Sequence, residues 1–217
     1  MFKVDLHTHS EASPDGGIRA SQYAKVLENE VLDAIAVTDH DRIDFAVGLH
    51  KALGDMIIIG EEITTKDGEL IGLFLHERIE PGNTAKKTAQ LIRDQGGLVY
   101  VPHPFETVRK GIQKDVLDSI VDLVDIIEVH NGRALTQKHA IQAATWAKLH
   151  NKAGASSSDA HGYKGLGHSY SIVQEIPARG SLTNSIKMSA LAHRRAPAYT
   201  LLYPKAHRVA KKIGLKK

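Results

Sequence analysis

Cysteine is absent from all 217 residues. That excludes disulfides and thiolate ligands, so any metal must be held by imidazole nitrogen and carboxylate oxygen. No apolar run approaches the roughly 20 residues of a membrane span, and Met1 leads almost at once into Val4-Asp5-Leu6-His7 without the apolar core of a signal peptide. The expected compartment is the cytoplasm. The glycine-rich phosphate loop that opens many doubly wound sheets is missing too. Acidic residues are absent from residues 176–217, which carry 10 Lys and Arg, whereas residues 1–175 carry 18 Lys and Arg against 25 Asp and Glu. The net charge of +3 therefore hides an acidic body and a basic end. Such an end reads either as a solvated tail or as a surface that draws phosphate-bearing substrates or nucleic acid.

What the chain does have is 42% hydrophobic content, enough for one substantial core, and histidines or carboxylates that repeatedly close short apolar runs. The first case is Asp5-Leu6-His7-Thr8-His9-Ser10. Side chains two apart share a face of an extended strand, so His7 and His9 can reach one ion, and Asp5 can hold a ligand imidazole in the required tautomer. The run from residue 33 to 37 ends in Thr38-Asp39-His40-Asp41. Ile57 to Gly60 lead into Glu61-Glu62, of which only one can point inward. Residues 98–101 end in Pro102-His103-Pro104, whose prolines fix the backbone about His103. Residues 125–129 run into His130-Asn131, and residues 152–158 into Asp159-Ala160-His161, a second pair spaced by two. Asp15, in the turn-forming loop 11–17, reads by itself as a turn residue ahead of Gly16. His76, His139 and His150 read as surface histidines.

Between these runs the spacing predicts helices from a Ser21 cap to residue 29, to about 53, over 84–95, 116–123, 135–150 and 181–192. Ile141, Ala144, Thr145 and Leu149 form the expected buried side of the fifth. Asp67-Gly68 predicts a hairpin, and residues 170–173 a late strand. Alternating strands and helices imply a largely parallel sheet, and polar clusters at six strand ends imply that the sheet curls or closes to gather them. A barrel does this; an open sheet gathers groups only at its crossover point.

The set DLHTHS, SPDG, TDHD, GEEI, PHPF, EVHN and SDAH resembles the PHP family, the polymerase and histidinol phosphatase superfamily of metal-dependent phosphoesterases. The resemblance spans residues 5 to 161 in the family's order. It implies an α/β fold, a distorted (β/α)7 barrel with two or three divalent ions (Mn, Zn or Fe) at the strand C-termini, and one domain over 1–217 whose basic segment 176–217 closes the barrel and ends in a tail. It further implies that His7, His9, Glu62 and Asp159 hold one ion, that Glu62 bridges to a second on His103 and His130, and that Asp15, His40 and His161 hold a third. Many members have His where this chain has Asp15, and the carboxylate resembles the members that hydrolyse nucleotide phosphates.

Clustered ions lower the pKa of a water enough for attack on phosphorus at neutral pH, with Glu62 and Asp159 setting the ion spacing. Arg109 is the first candidate to fork onto phosphate and Arg133 the second, and His168 is a candidate to protonate the leaving oxygen. The expected activity is hydrolysis of a phosphate monoester on a small molecule, a nucleotide or nucleoside bisphosphate. An exonuclease trimming nucleic acid ends is the alternative that the basic segment favours, and a metal-bound regulatory module without turnover is the third.

Overall fold

The computed structural model describes residues 1–136 and 138–214 of the protein. Nine strands form one curled sheet: β1 (Phe2–Asp5), β2 (Ala34–Val37), β3 (Ile57–Thr65), β4 (Gly68–Leu73), β5 (Leu98–Val101), β6 (Ile126–Asn131), β7 (Ala153–Ser157), β8 (Ser169–Val173) and β9 (Ala190–His193). Their spatial order is β7-β6-β5-β4-β3-β2-β1-β8-β9. Neighbours β1, β2 and β3 are parallel, as are β5, β6 and β7, while β4 runs antiparallel between the two groups as the Asp67-Gly68 hairpin predicts. Closure comes from the two outer ends of the parallel run. Just beyond β1 and β7 the chain pairs Thr8 with Ala160, and the His9 amide donates to Ala160 O and the Asp159 amide to His7 O, both at 2.9 Å. At the other end β8 lies antiparallel on β1 and its Ser171 hydroxyl accepts from the Ser156 amide of β7.

Among the described residues seven helices surround the sheet: α1 (Ala20–Glu28), α2 (Asp44–Leu53), α3 (Ala85–Asp94), α4 (Lys114–Ser119), α5 (Lys138–Leu149), α6 (Leu182–Lys187) and α7 (Tyr203–Lys212). Two buried clusters lie outside the sheet. Tyr23, Val26 and Leu27 of α1 and Ala46 and Leu49 of α2 cover one half, and Ala85, Ala89, Ile92, Leu117 and Trp146 cover the other. The third, lining the barrel, takes Val4, Leu6, Ala36, Ile58, Ile71, Tyr100, Ile126 and Ala155 from successive strands, with Leu182 and Ile186 of α6 packed onto it. A barrel filled from alternate strand positions is a packed floor, and it leaves the strand C-termini as the place where polar groups can meet. Among the described residues no helix is long and apolar enough to cross a membrane.

Four local readings need correction. Helix α1 starts at Ala20 with Arg19 at its cap, where the Arg19 amide donates to the Gln22 side chain at 3.0 Å, so Ser21 lies within the helix. Helix α5 buries Ala143, Trp146 and Ala147 instead of Ile141 and Leu149, which are 68% and 75% exposed. Both stripes have helical spacing. The chosen one places small alanines beside Trp146, whose indole N–H finds Asp118 at 2.7 Å. The helix expected over 181–192 stops at Lys187, and residues 190–193 form β9 on β8, the ninth strand among the described residues. The basic segment, finally, does not trail away: α7 packs back against the loop that carries Asp15. The final tail residues, 215–217, lie outside the described residues.

Candidate metal centre

Eight of the nine sequence-predicted ligands come together at the strand C-termini. His9, Asp15, His40 and His161 place one donor atom each within 4.8 Å of one another, as do His7, Glu62 and His103, and as do His7, His9 and Asp159. His7, His9, Glu62, Asp159 and His161 are at most 3% exposed. Glu62, Asp159 and His161 line, with Asp15, His40, His103, Arg109, Arg133 and Arg208 among others, a pocket of about 330 Å³. Two candidate ligands sit on strained backbone: His103 has φ 28° and Asp159 φ 51°, a region that side chains with a Cβ avoid. For His103 the bracketing prolines and a 2.6 Å bond from its amide to Glu128 hold that conformation in place.

Glu62 faces two ways. Its Oε2 lies 3.3 Å from His7 Nε2, 3.2 Å from His9 Nε2 and 3.4 Å from His40 Nδ1, while Oε1 lies 3.0 Å from His103 Nε2. Glu61, on the opposite face of β3, accepts instead from the Ile79 amide at 2.9 Å. Asp159 is divided similarly. Oδ1 meets His161 Nδ1 at 3.2 Å and His9 Nε2 at 3.6 Å, and Oδ2 accepts from Arg109 Nη1 at 2.7 Å. Arg133 Nη1 reaches Oδ1 at 3.3 Å.

Burial alone would raise both carboxyls, but the imidazoles around Glu62 and the Arg133 guanidinium and His7 beside Asp159 outweigh it and hold both well below the usual carboxylate range. Asp15 is depressed for the same reason, by His161, His9 and His40 against its burial. His9 behaves oppositely: buried beside two other imidazoles, it is pushed down to about 3 and stays neutral. His7, buried but facing Glu62, Asp159 and Glu128, is raised well above its ordinary value.

The donor chemistry fits divalent cations. Donors sharing one ion at about 2.0–2.2 Å stand roughly 3–3.5 Å apart, the spacing seen about Glu62. His7 Nδ1 lies 3.1 Å from Glu128 Oε1, which turns Nε2 toward the centre as the ring's ligand atom. There it lies 3.1 Å from His9 Nε2, a spacing that two imidazoles sharing one divalent ion adopt.

His130 is not brought into this group. Its ring packs against that of His193 at 4.9 Å between centroids. The cause is a register shift in β6 between Glu128 and His130, which breaks the alternation of two. Glu128 and Asn131 turn inward, and Val129 and His130 turn away. Sequence reasoning missed both inward residues. Glu128 accepts from Tyr100 Oη at 2.8 Å, from the His103 amide and from Asn131 Nδ2 at 2.8 Å, besides holding His7. This is the role expected of Asp5, whose Oδ1 accepts instead from the Ser158 amide at 3.0 Å and the His7 amide at 3.3 Å. Asp5 joins β1 to β7. Glu69 was also missed: it belongs to a donor group with His40 and Glu62, lies 3.9 Å from His103, and is raised to about 9 by burial and by Glu62. No motif marks it, because it enters from the antiparallel strand β4.

His168 lines a smaller adjoining cavity rather than the main pocket, and its Nδ1 lies 3.1 Å from Leu166 O. Arg109 lines the main pocket, with Nε and Nη2 on Glu106 at 2.8 and 2.5 Å.

The chain is 32% identical over 153 residues to the uncharacterized protein MJ1587 of Methanocaldococcus jannaschii, a match covering 64% of this chain and 90% of that one. Its fold resembles a two-domain protein of Bacteroides vulgatus containing a predicted PHP-like metal-dependent phosphoesterase, with TM-score 0.72, 18% identity, and coverage of 95% of this chain and 69% of the other. It also resembles the lesion-specific endonuclease Q of Pyrococcus furiosus, with TM-score 0.66, 17% identity, and coverage of 88% of this chain but 57% of that one. The family model for the PHP domain matches residues 5–172, the span from the Asp5 strand end to β8, and the chain belongs to the PHP domain family.

Proposed function

We propose that this member of the PHP family is a metal-dependent phosphoesterase that hydrolyses a phosphate monoester of a small molecule, a nucleotide or nucleoside bisphosphate, with residues 1–217 working as one domain in the cytoplasm. The observation that carries this reading is Glu62, whose two oxygens face different sets of imidazoles. Divalent ions (Mn, Zn or Fe), when bound, would supply an activated water near neutral pH and Lewis acidity toward the phosphoryl oxygens.

Three sets of side chains would hold them: His7, His9, Glu62 and Asp159; Glu62 and His103 with Glu69 in place of His130; and Asp15, His40 and His161 with His9 beside them. The chain's own residues do the rest. Glu128 fixes His7 with Nε2 toward the centre. Arg109 and Arg133 stand against Asp159 at the pocket wall, where a guanidinium can neutralise phosphoryl oxygens as charge develops. Closed by packed residues beneath, the pocket admits substrate only from the strand C-terminal face.

A release assay for inorganic phosphate, over nucleoside mono- and bisphosphates, histidinol phosphate and short oligonucleotides, tests the proposal with Mn added and with metal stripped. Release from at least one monoester, lost on stripping and in His103→Ala and Asp159→Ala, is the expected result. Full activity in either variant would remove the assigned site. Action on nucleic acid ends is a second reading, favoured by the likeness to endonuclease Q and by Lys110, Arg109, Arg133 and Arg208 around one pocket. Steep loss of binding with added salt would select it, since several phosphate contacts release counterions together.

A further inference from the structure

Helix α7 lies beyond residue 172, where the match to the family model ends, yet it supplies a wall of the pocket. Tyr203, His207 and Lys211 recur every four residues and so share one face of the helix. That face is fastened onto the site's own loops. A Cβ on Gly17 would stand 2.4 Å from the His207 ring, and one on Gly162, next to His161, would stand 2.5 Å from Tyr203, so a side chain at either position would have to push the ring aside. Lys211 Nζ donates to the carbonyl oxygens of Glu11, Ser13 and Gly16, the loop that carries Asp15.

Arg208 follows His207 and is turned toward the pocket by this docking. Its Nη2 donates to Asp15 Oδ2 at 2.7 Å, an oxygen that also lies 3.4 Å from His161 Nε2 and 3.7 Å from His40 Nε2. The rest of the guanidinium, Nε and Nη1, has no protein partner among the described residues, and the side chain is 62% exposed although it lines the pocket. A guanidinium kept only to hold Asp15 would gain little from so exposed a pairing, since solvent screens it. A fork with free N–H groups at the mouth of an anion-binding pocket is instead matched to two oxygens of a phosphate. Arg109 and Arg133 are engaged with Asp159, and Arg109 also with Glu106, so Arg208 is the less committed cation.

We propose that Arg208 is a substrate-binding residue that grips a phosphate group of the substrate, delivered to the pocket by α7 and aligned by the Lys211 anchor. This rests on the phosphoesterase reading and deepens it by making affinity for the phosphate depend on a segment outside the span that the family model matches.

The test uses the full chain loaded with Mn, inorganic phosphate as the probe in titration calorimetry, p-nitrophenyl phosphate as the kinetic substrate, and elemental analysis of bound Mn. Arg208→Gln is expected to weaken phosphate binding by about tenfold or more. KM should rise more than kcat falls, with Mn per chain unchanged. Arg208→Lys, which keeps a charge without the fork, is expected to fall between the two. Phosphate affinity within twofold of wild type in Arg208→Gln would overturn the proposal. So would a loss of bound Mn parallel to the loss of phosphate, which would make Arg208 a support for Asp15. Wild-type protein that neither binds phosphate nor hydrolyses the aryl ester would sink the phosphoesterase reading itself, and this proposal with it.

Discussion

Removing the Glu128 carboxylate leaves His7 Nδ1 and Tyr100 Oη without their acceptor in a site where all three side chains are buried. A carboxylate that fixes the tautomer of a ligand imidazole typically contributes 10–100-fold to metal affinity. Glu128→Ala is therefore expected to lower Mn affinity by about that factor, whereas His130→Ala, on the other side of the bulge, leaves it unchanged. Calorimetric titration of the two variants checks this; equal losses would contradict the placement of β6. Asp5 offers a test of a different kind. Burial raises its carboxyl to about 7 from the 3.8 of a free aspartate, so between those values the folded chain holds a proton that the unfolded chain has released. Its contribution to stability is thus greatest at low pH and is lost as pH rises through that window. Asp5→Asn removes the titration, and its Oδ1 can still accept from the Ser158 and His7 amides. Relative to wild type the variant is expected to be more stable at pH 8 than at pH 5, measured by urea unfolding of metal-stripped protein. A difference independent of pH would contradict the assignment.

The elements explain which residues the sequence disclosed. Where a strand keeps its alternation, as β3 does through Ile57, Ile59 and Glu61 on one face and Ile58, Gly60 and Glu62 on the other, spacing limits the inward glutamate to one of two. In β6 the inserted residue defeats that rule, and a local pattern of apolar and polar residues carries no mark of a bulge that is set by pairing with β7. Glu69 was hidden differently, since its approach depends on an antiparallel strand whose register is fixed by β3 and β5. The 11–17 loop shows how tightly one element is specified. A Cβ on Gly16 would stand 2.1 Å from Ser10 O and 2.9 Å from His9 O, both backbone atoms that cannot move aside. Gly16→Ala is expected to cost about 2–3 kcal/mol in stability. It should also lower bound Mn by one per chain by displacing Asp15, as read by thermal unfolding and elemental analysis. Unchanged metal content would show that Asp15 is not a ligand.

Across the whole molecule, the barrel was legible because six apolar runs end in polar clusters, and only closure brings six strand ends to one place. The C-terminal segment was not legible in the same way. Its charge excess reads as a tail, and nothing in a basic amphipathic stretch says which loop it will dock on; the contacts of Tyr203, His207 and Lys211 with glycines and carbonyls are visible only in the fold. A centre that gathers carboxylates and imidazoles from β1, β2, β3, β5 and β7 should also couple ion binding to global stability. At a free metal concentration about 100-fold above Kd, the folded state gains about 2.7 kcal/mol, which for a chain of this size raises Tm by roughly 5–10 °C. Stripping the ions should reverse that rise in differential scanning calorimetry, and a Tm indifferent to metal would argue against binding to the folded site.

The most direct measurement is anomalous X-ray scattering from crystals of the full chain grown with Mn. Two or three anomalous peaks enclosed by His7, Glu62, His103 and Asp159 on one side and Asp15, His40 and His161 on the other are the predicted result. Mn-replete crystals with no peak inside that ring of side chains, or with the metal elsewhere on the surface, would contradict the account.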